Sequence, residues 1–198
     1  MMTTTLSDSD KRELLRLARE AIDAAVRDQP LPPVDTARLS PALLRQGTCF
    51  VTLTESDELR GCIGGLQAFD PLYEDVRQHA MQSALRDYRF PPVTPEEVPR
   101  LEIEISVLTE PQPLRYDSPD DLIRRLRPEV DGVILSQGYR RATFLPQVWE
   151  RVPDPETFLS MLCEKMGAPP DTWRRTMLDV QTYQVEKFTE AELSMHRA

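Results

Sequence analysis

Between residues 8 and 28, apolar side chains return at every third or fourth position: Leu14, Leu15, Ala18, Ile22, Ala25 and Val26. That spacing puts them on one face and predicts a helix, with Ser7 or Ser9 placed to cap its start. The run Pro30–Leu31–Pro32–Pro33 stops it, and its shortness predicts a connection rather than a linker between domains. Residues 48–54 and 58–63 are strand-like, with Glu55–Ser56–Asp57 between them as a hairpin loop. Asp70 before Pro71 predicts a helix cap with proline at the first helical position. Leu72, Val76, Ala80 and Ala84 then recur at helical spacing until Pro91–Pro92 forces an exit.

Residues 101–109 alternate most clearly: Leu101, Ile103, Ile105 and Val107 against Glu102, Glu104 and Ser106. This predicts a strand with one face buried and the other wet or lining a cleft. Ser118–Pro119 starts a short helix to about Leu126. Residues 132–136 and 140–145 predict a second hairpin around Gln137–Gly138. Asp154–Pro155 starts a helix with Phe158, Leu159, Leu162 and Met166 on its apolar face and Gly167 at its end. Residues 180–188 predict one last strand. The mixed order of elements, with two hairpins, favours an α+β fold: a mixed, largely antiparallel sheet flanked by helices.

The length of 198 residues allows one large domain or two small ones. The formal net charge of −9 disfavours nucleic-acid binding, and 18 prolines against 7 glycines imply stiff connections. Cys49, Cys62 and Cys163 are an odd number without framework spacing, which points to reduced thiols and a cytoplasmic protein. There is no Cys-x-x-Cys, and the histidines are His79 and His196, so no zinc and no other cofactor is expected. Met1 to Lys11 is polar, and no stretch approaches the ~20 apolar residues of a membrane span.

Three of the seven glycines, Gly61, Gly64 and Gly65, fall within five residues, in and after the hexapeptide Leu–Arg–Gly–Cys–Ile–Gly at 59–64. Glycines beside a cysteine let another backbone or a ligand approach closely. With Arg60 and backbone N–H groups nearby, the pattern makes Cys62 a candidate nucleophile. Against this stands the usual fate of a free cysteine, as a small buried hydrophobe. Gly61 is assigned to close approach and Gly64 to backbone geometry at a turn. His79 shares a helix face with Asp75 and Ser83. A Cys62–His79–Asp75 triad needs that helix to pack over the glycine turn; otherwise His79 simply pairs with Asp75. Asp87 and Arg89 either bracket an anionic ligand or pair with each other. Phe144 and Leu145 read as a hydrophobic plug, Gln147 as a buried amide in need of partners. Lys165 reads as a helix C-terminal cation, Trp149 and Trp173 as core or domain-seam residues, and the arginine pairs at 124–125, 140–141 and 174–175 as solvated faces.

The segments LRGCIG at 59–64, DYRFPPV at 87–93, EIEISVL at 102–108, TFLPQVW at 143–149 and LCEKMG at 162–167 occur in that order. In them the chain resembles the AmmeMemoRadiSam system protein A family, whose human relative is named after the Alport-syndrome, midface-hypoplasia and elliptocytosis chromosomal region. The resemblance runs over residues 8–188 as a single domain, leaving 1–7 and 189–198 as flexible ends. It implies larger and smaller subdomains around a cleft, and partnership with a Memo-like protein and a radical-SAM protein. Arg60, Gly61, Cys62, Ile63 and Gly64 match the family hexapeptide. Asp87, Arg89, Phe90 and Pro91 match a second motif, Leu145, Pro146 and Gln147 a third, and Lys165 with Gly167 a fourth. Tyr88 stands where many relatives have proline, Met166 replaces a common alanine, and Asp131 stands where relatives tend to have histidine, which removes one possible imidazole base.

Two functions follow as expectations. In one, Arg60, Gly61, Gly64, Asp87, Arg89 and Gln147 bind a small metabolite, anionic ones included, and Cys62 does covalent chemistry. In the other, the same surface docks a partner or carries an intermediate without catalysis.

Overall fold

The structure, a computed structural model, describes residues 6–195. The elements in chain order are α1 (Asp8–Val26), α2 (Pro41–Leu44), β1 (Cys49–Glu55), β2 (Glu58–Gly64), α3 (Leu72–Leu85), β3 (Leu101–Leu108), β4 (Gln112–Pro113), α4 (Pro119–Arg125), β5 (Gly132–Gln137), β6 (Arg140–Phe144), α5 (Pro155–Lys165), α6 (Thr172–Arg175), β7 (Asp179–Tyr183), β8 (Val185–Thr189) and α7 (Glu190–Met195). The chain divides into two compact units. One holds the described residues up to Leu108 and those from Glu186 onward; the other is Thr109–Val185. Helices and antiparallel sheets together make the fold α+β.

The first unit has a four-stranded sheet in the order β2-β1-β3-β8. Its core joins Leu14, Leu15, Ala18 and Ile22 of α1, Val76, Ala80 and Ala84 of α3, Cys49, Val51 and Leu53 of β1, and Ile103 and Ile105 of β3. Each large aliphatic side chain buried there stabilises the fold by roughly 1.5–3 kcal/mol. Ser7 caps α1 in a reciprocal capping box with Asp10. The proline run is fastened to α3 through Arg77, which donates to the Pro32 carbonyl at 2.7 Å. β1 and β2 are joined by Ser56 and Asp57, both at positive φ (53° and 66°), the two-residue turn that suits the twist of a hairpin. Between Leu53↔Gly61 and Thr54↔Leu59 the register slips, so Arg60 is an extra residue in a β-bulge.

Two expectations are corrected. Asp70 does not cap α3. Pro71 occupies the cap with extended backbone, and its carbonyl accepts from Glu74 and Asp75, while the Asp70 carbonyl accepts the Gly47 N–H. The strand expected over 180–188 is two strands in two sheets: it breaks at Gln184, so that β7 pairs with β4 and β5 while β8 lies beside β3. Leu6 is buried, and Glu190 accepts from Arg19 (2.5 and 2.7 Å) and from the Ile103 N–H (3.2 Å).

The second unit has its own sheet, β4-β7-β5-β6. Trp149 stacks on Phe158 with centroids 3.6 Å apart, and Trp173 is equally buried, as expected of core residues. The Tyr116 hydroxyl accepts the Leu178 N–H (2.7 Å) and donates to the Leu178 carbonyl (3.1 Å). Asp154 caps α5 through the Thr157 N–H, and Gly167 ends that segment at φ 78°.

Candidate functional site

Strand parity decides which groups meet at the hexapeptide. Cys49, Val51 and Leu53 point from β1 toward α3, and across the ladder Leu53 faces Gly61 and Val51 faces Ile63. Cys62 pairs with Thr52 and therefore points to the opposite face of the sheet. The same row continues into β3, where Thr52 pairs with Glu104. Cys62, Thr52 and Glu104 thus stand side by side across three strands. The Thr52 hydroxyl donates to the Cys62 sulfur at 3.2 Å, and Glu104 is held by Lys187 at 3.2 Å.

The backbone of Cys62 is held from the loop after α3. Its N–H donates to Asp87 Oδ2 at 2.9 Å, and its carbonyl accepts from Arg89 Nη2 at 3.3 Å. Asp87 and Arg89 also pair with each other, Nε to Oδ1 at 2.9 Å and Nη2 to Oδ2 at 2.6 Å. Arg89 and the Cys62 amide hold the Asp87 carboxyl well below the usual carboxylate range, against the burial that pushes it up. Of the two expectations for this pair, mutual pairing is present. Arg89 is nevertheless 43% exposed, and its Nη1 makes no hydrogen bond among the described residues.

Arg60 is turned away from this duty by its bulge. Its guanidinium grips Glu97 through Nε (2.9 Å) and Nη2 (3.3 Å) and gives Nη1 to the Pro91 carbonyl (2.9 Å). Arg60, together with the Thr94 N–H, lowers the Glu97 carboxyl to about 2. Arg60 therefore braces the loop that carries Asp87 and Arg89 through an internal ion pair.

The two glycines also serve the chain itself. A Cβ on Gly61 would lie 2.2 Å from the Ser83 carbonyl oxygen. A Cβ on Gly64 would lie 2.4 Å from both the Cys49 carbonyl and the Phe50 ring. Neither has positive φ. The expectation that Gly61 leaves room for a ligand is thus corrected to close packing on Ser83, whereas Gly64 serves the backbone as expected, through close packing and not through a positive φ. Ser83 completes the seam, donating to the Val51 carbonyl (2.7 Å) and accepting the Ile63 N–H (2.8 Å).

Helix α3 does pack over the glycine turn, but the thiol that His79 meets is Cys49, because Cys62 is on the other face. His79 Nδ1 lies 3.0 Å from Asp75 Oδ2 and 3.9 Å from Cys49 Sγ. Asp75 Oδ2 also accepts the Cys49 N–H at 2.9 Å. Burial, reinforced by Asp75, pushes the Cys49 thiol well above its ordinary range, and burial also raises Cys163. Among the described residues, Cys49, Asp75 and His79 are the group whose ligand atoms lie close enough together, within 4.8 Å, to hold a metal ion. His196 lies outside the described residues.

Gln147 belongs to the second unit and is exposed on a 3-10 turn, Pro146–Glu150, whose inner positions go to Pro146 and Trp149. It is not the buried amide that was expected. Asp131 is buried and takes Arg127 at 2.6 and 3.1 Å, while its carbonyl accepts the Trp149 indole N–H. Lys165 donates to the Thr143 carbonyl at 2.9 Å and lies over the Phe144 ring.

Thr52, Glu104 and Glu97 were not among the expected site residues. Thr52 and Glu104 were legible only through register, and Glu97 only through the bulge that aims Arg60.

A glycine-flanked thiol on a hairpin, clamped from a helix exit within a two-unit α+β chain, defines the class. The chain belongs to the AMMECR1 family, which its sequence matches over residues 15–188. It is 38% identical over 199 residues to a protein of Methanothermobacter thermautotrophicus, covering 96% of this chain and 99% of that one. It is 39% identical over 189 residues to a protein of Thermococcus gammatolerans, covering 89% and 88%. The crystal structure of the uncharacterized protein PH0010 from Pyrococcus horikoshii superposes with a TM-score of 0.76 at 36% identity, covering 93% of each chain. No helix among the described residues is long and apolar enough to cross a membrane.

Proposed function

We propose that this protein is an enzyme or enzyme subunit in which Cys62 carries out covalent chemistry on a small, anionic metabolite, in the company of a Memo-like and a radical-SAM protein. The observation that carries the reading is the asymmetry among the thiols. Cys49 and Cys163 are fully buried, whereas Cys62 is partly exposed on a sheet face where its sulfur already accepts a hydrogen bond. A nucleophile needs access and a fixed direction of approach. Asp87 and Arg89 fix the peptide on both sides of the thiol, and the half-exposed guanidinium of Arg89 offers a cation to an anionic group. A cytoplasmic setting suits a free thiol in this role.

A second reading has its own support. Phe69 is 73% exposed and Tyr88, between the two clamp residues, is 96% exposed. Exposed aromatics beside a fixed backbone suit a non-catalytic docking or carrier component. Complementation of a deletion strain separates the two. On the enzyme reading, Cys62→Ser abolishes function while keeping the wild-type melting temperature, and Tyr88→Ala retains it. Full function of Cys62→Ser, with loss of function in Tyr88→Ala, favours docking.

A further inference from the structure

The three donors at the start of α3 have no part in the Cys62 chemistry. Cys49 comes from β1, Asp75 from the first turn of α3 and His79 from one turn later, so the sheet–helix packing alone assembles them. Their arrangement is not that of a thiol–imidazole–carboxylate relay. A relay uses both ring nitrogens, one toward the thiol and one toward the carboxylate. Here the Cys49 sulfur and the Asp75 carboxylate both approach Nδ1, at 3.9 and 3.0 Å. Donors converging on one point are what a metal ion requires.

We propose that Cys49 Sγ, Asp75 Oδ2 and His79 Nδ1 form a binding site for zinc or a similar borderline-soft divalent cation. Across a tetrahedral zinc, sulfur and nitrogen ligands stand about 3.6 Å apart, and nitrogen and oxygen ligands about 3.4 Å apart, given the usual bond lengths. The sulfur–nitrogen and nitrogen–oxygen separations differ from these by only a few tenths of an ångström, and all three ligand atoms lie within 4.8 Å of one another, so small side-chain rotations would close the site. The charges also balance: one thiolate and one carboxylate neutralise a divalent cation, so the filled site places no net charge among buried residues. Three protein ligands leave a fourth position for water or a substrate atom. The imidazole edge, Cε1 and Nε2, lies against Gly65, which has no side chain to cover it. On binding, the Nδ1 lone pair goes to the metal, the ring proton resides on Nε2, and the thiol proton leaves to solvent.

The test uses the full chain, stripped with a chelator and titrated with zinc against a chromophoric competitor, and separately with cobalt(II) followed by absorption. One zinc per chain is expected, with release of about one proton. Bound cobalt should show sulfur-to-metal charge-transfer absorption that survives in Cys62→Ser and is lost in Cys49→Ser. Because Cys49 is a core residue, His79→Gln is the second variant. It should still fold without metal, its melting temperature lowered only modestly by the lost contact with Asp75, and bind zinc at least about tenfold more weakly, having lost one of three ligands. Absence of stoichiometric binding by the wild-type chain, unchanged affinity in His79→Gln, or loss of the cobalt band in Cys62→Ser overturns the site. None of these readouts depends on Cys62 reactivity, so this inference and the proposed function stand or fall separately.

Discussion

Asp87 accepts the N–H of Cys62 at 2.9 Å while its two oxygens together hold Arg89, whose guanidinium reaches back to the Cys62 carbonyl. One carboxylate thus fixes the peptide on both sides of the thiol without touching the sulfur.

Replacing that carboxylate tests the clamp. Asp87→Asn leaves Arg89 without its ion and weakens the hold on the Cys62 amide. A loss of about 1–3 kcal/mol is expected, the cost of breaking a charged hydrogen-bonded pair with one half-exposed partner. Denaturant unfolding measures it, and hydrogen exchange of the Cys62 amide should quicken. An unchanged exchange rate would remove Asp87 from this role.

Both glycines of the hexapeptide should resist alanine. Gly61→Ala drives a methyl group into the Ser83 carbonyl, and Gly64→Ala drives one into the Cys49 carbonyl and the Phe50 ring. Each should cost more than the ~1 kcal/mol of an ordinary glycine replacement. Melting curves of the two variants check this. A wild-type melting temperature for Gly61→Ala would mean that α3 yields, reopening the approach to a ligand.

Acid should loosen the braced loop. The folded-state pKa of Glu97 is about 2, below its ordinary 4.5, and that of Asp87 is lowered too. Depressed carboxyls contribute stability that is full above their unfolded pKa and is lost as pH falls through the folded one. Unfolding midpoints should therefore drop between about pH 5 and pH 2, less steeply in Glu97→Gln and Asp87→Asn than in wild type. Parallel curves for the three proteins would contradict the assignment.

Thr52 should matter to chemistry more than to stability. Thr52→Val keeps the shape but removes the hydroxyl that faces the sulfur. That hydrogen bond, worth about 1 kcal/mol, holds the sulfur to one direction of approach, so alkylation of Cys62 should slow by up to about fivefold when it is lost. Stopped-flow labelling decides it, and an unchanged rate would dismiss Thr52.

Most helices and both hairpins could be read from the chain because local chemistry states them: Ser7 and Asp154 cap, Ser118–Pro119 starts, and Gly167 ends. The break at Gln184 could not, because both halves of 180–188 have strand character and only pairing with different sheets divides them. Cys62 was conspicuous through its glycines, yet its partners were hidden by parity. A helical face placed His79, Asp75 and Ser83 together, but which cysteine they meet depends on the register of β1 against β2, and that puts Cys49 inward and Cys62 outward. Arg60 looked like a ligand group because a one-residue bulge leaves no mark in composition.

The proposed function makes Cys62 the reactive thiol of the native protein. Brief iodoacetamide treatment of the folded chain near neutral pH, followed by peptide mass spectrometry, measures it directly. Cys62 should be modified first, with Cys49 and Cys163 protected until denaturant is added. Modification of all three only after unfolding, or of Cys49 ahead of Cys62, would contradict the account.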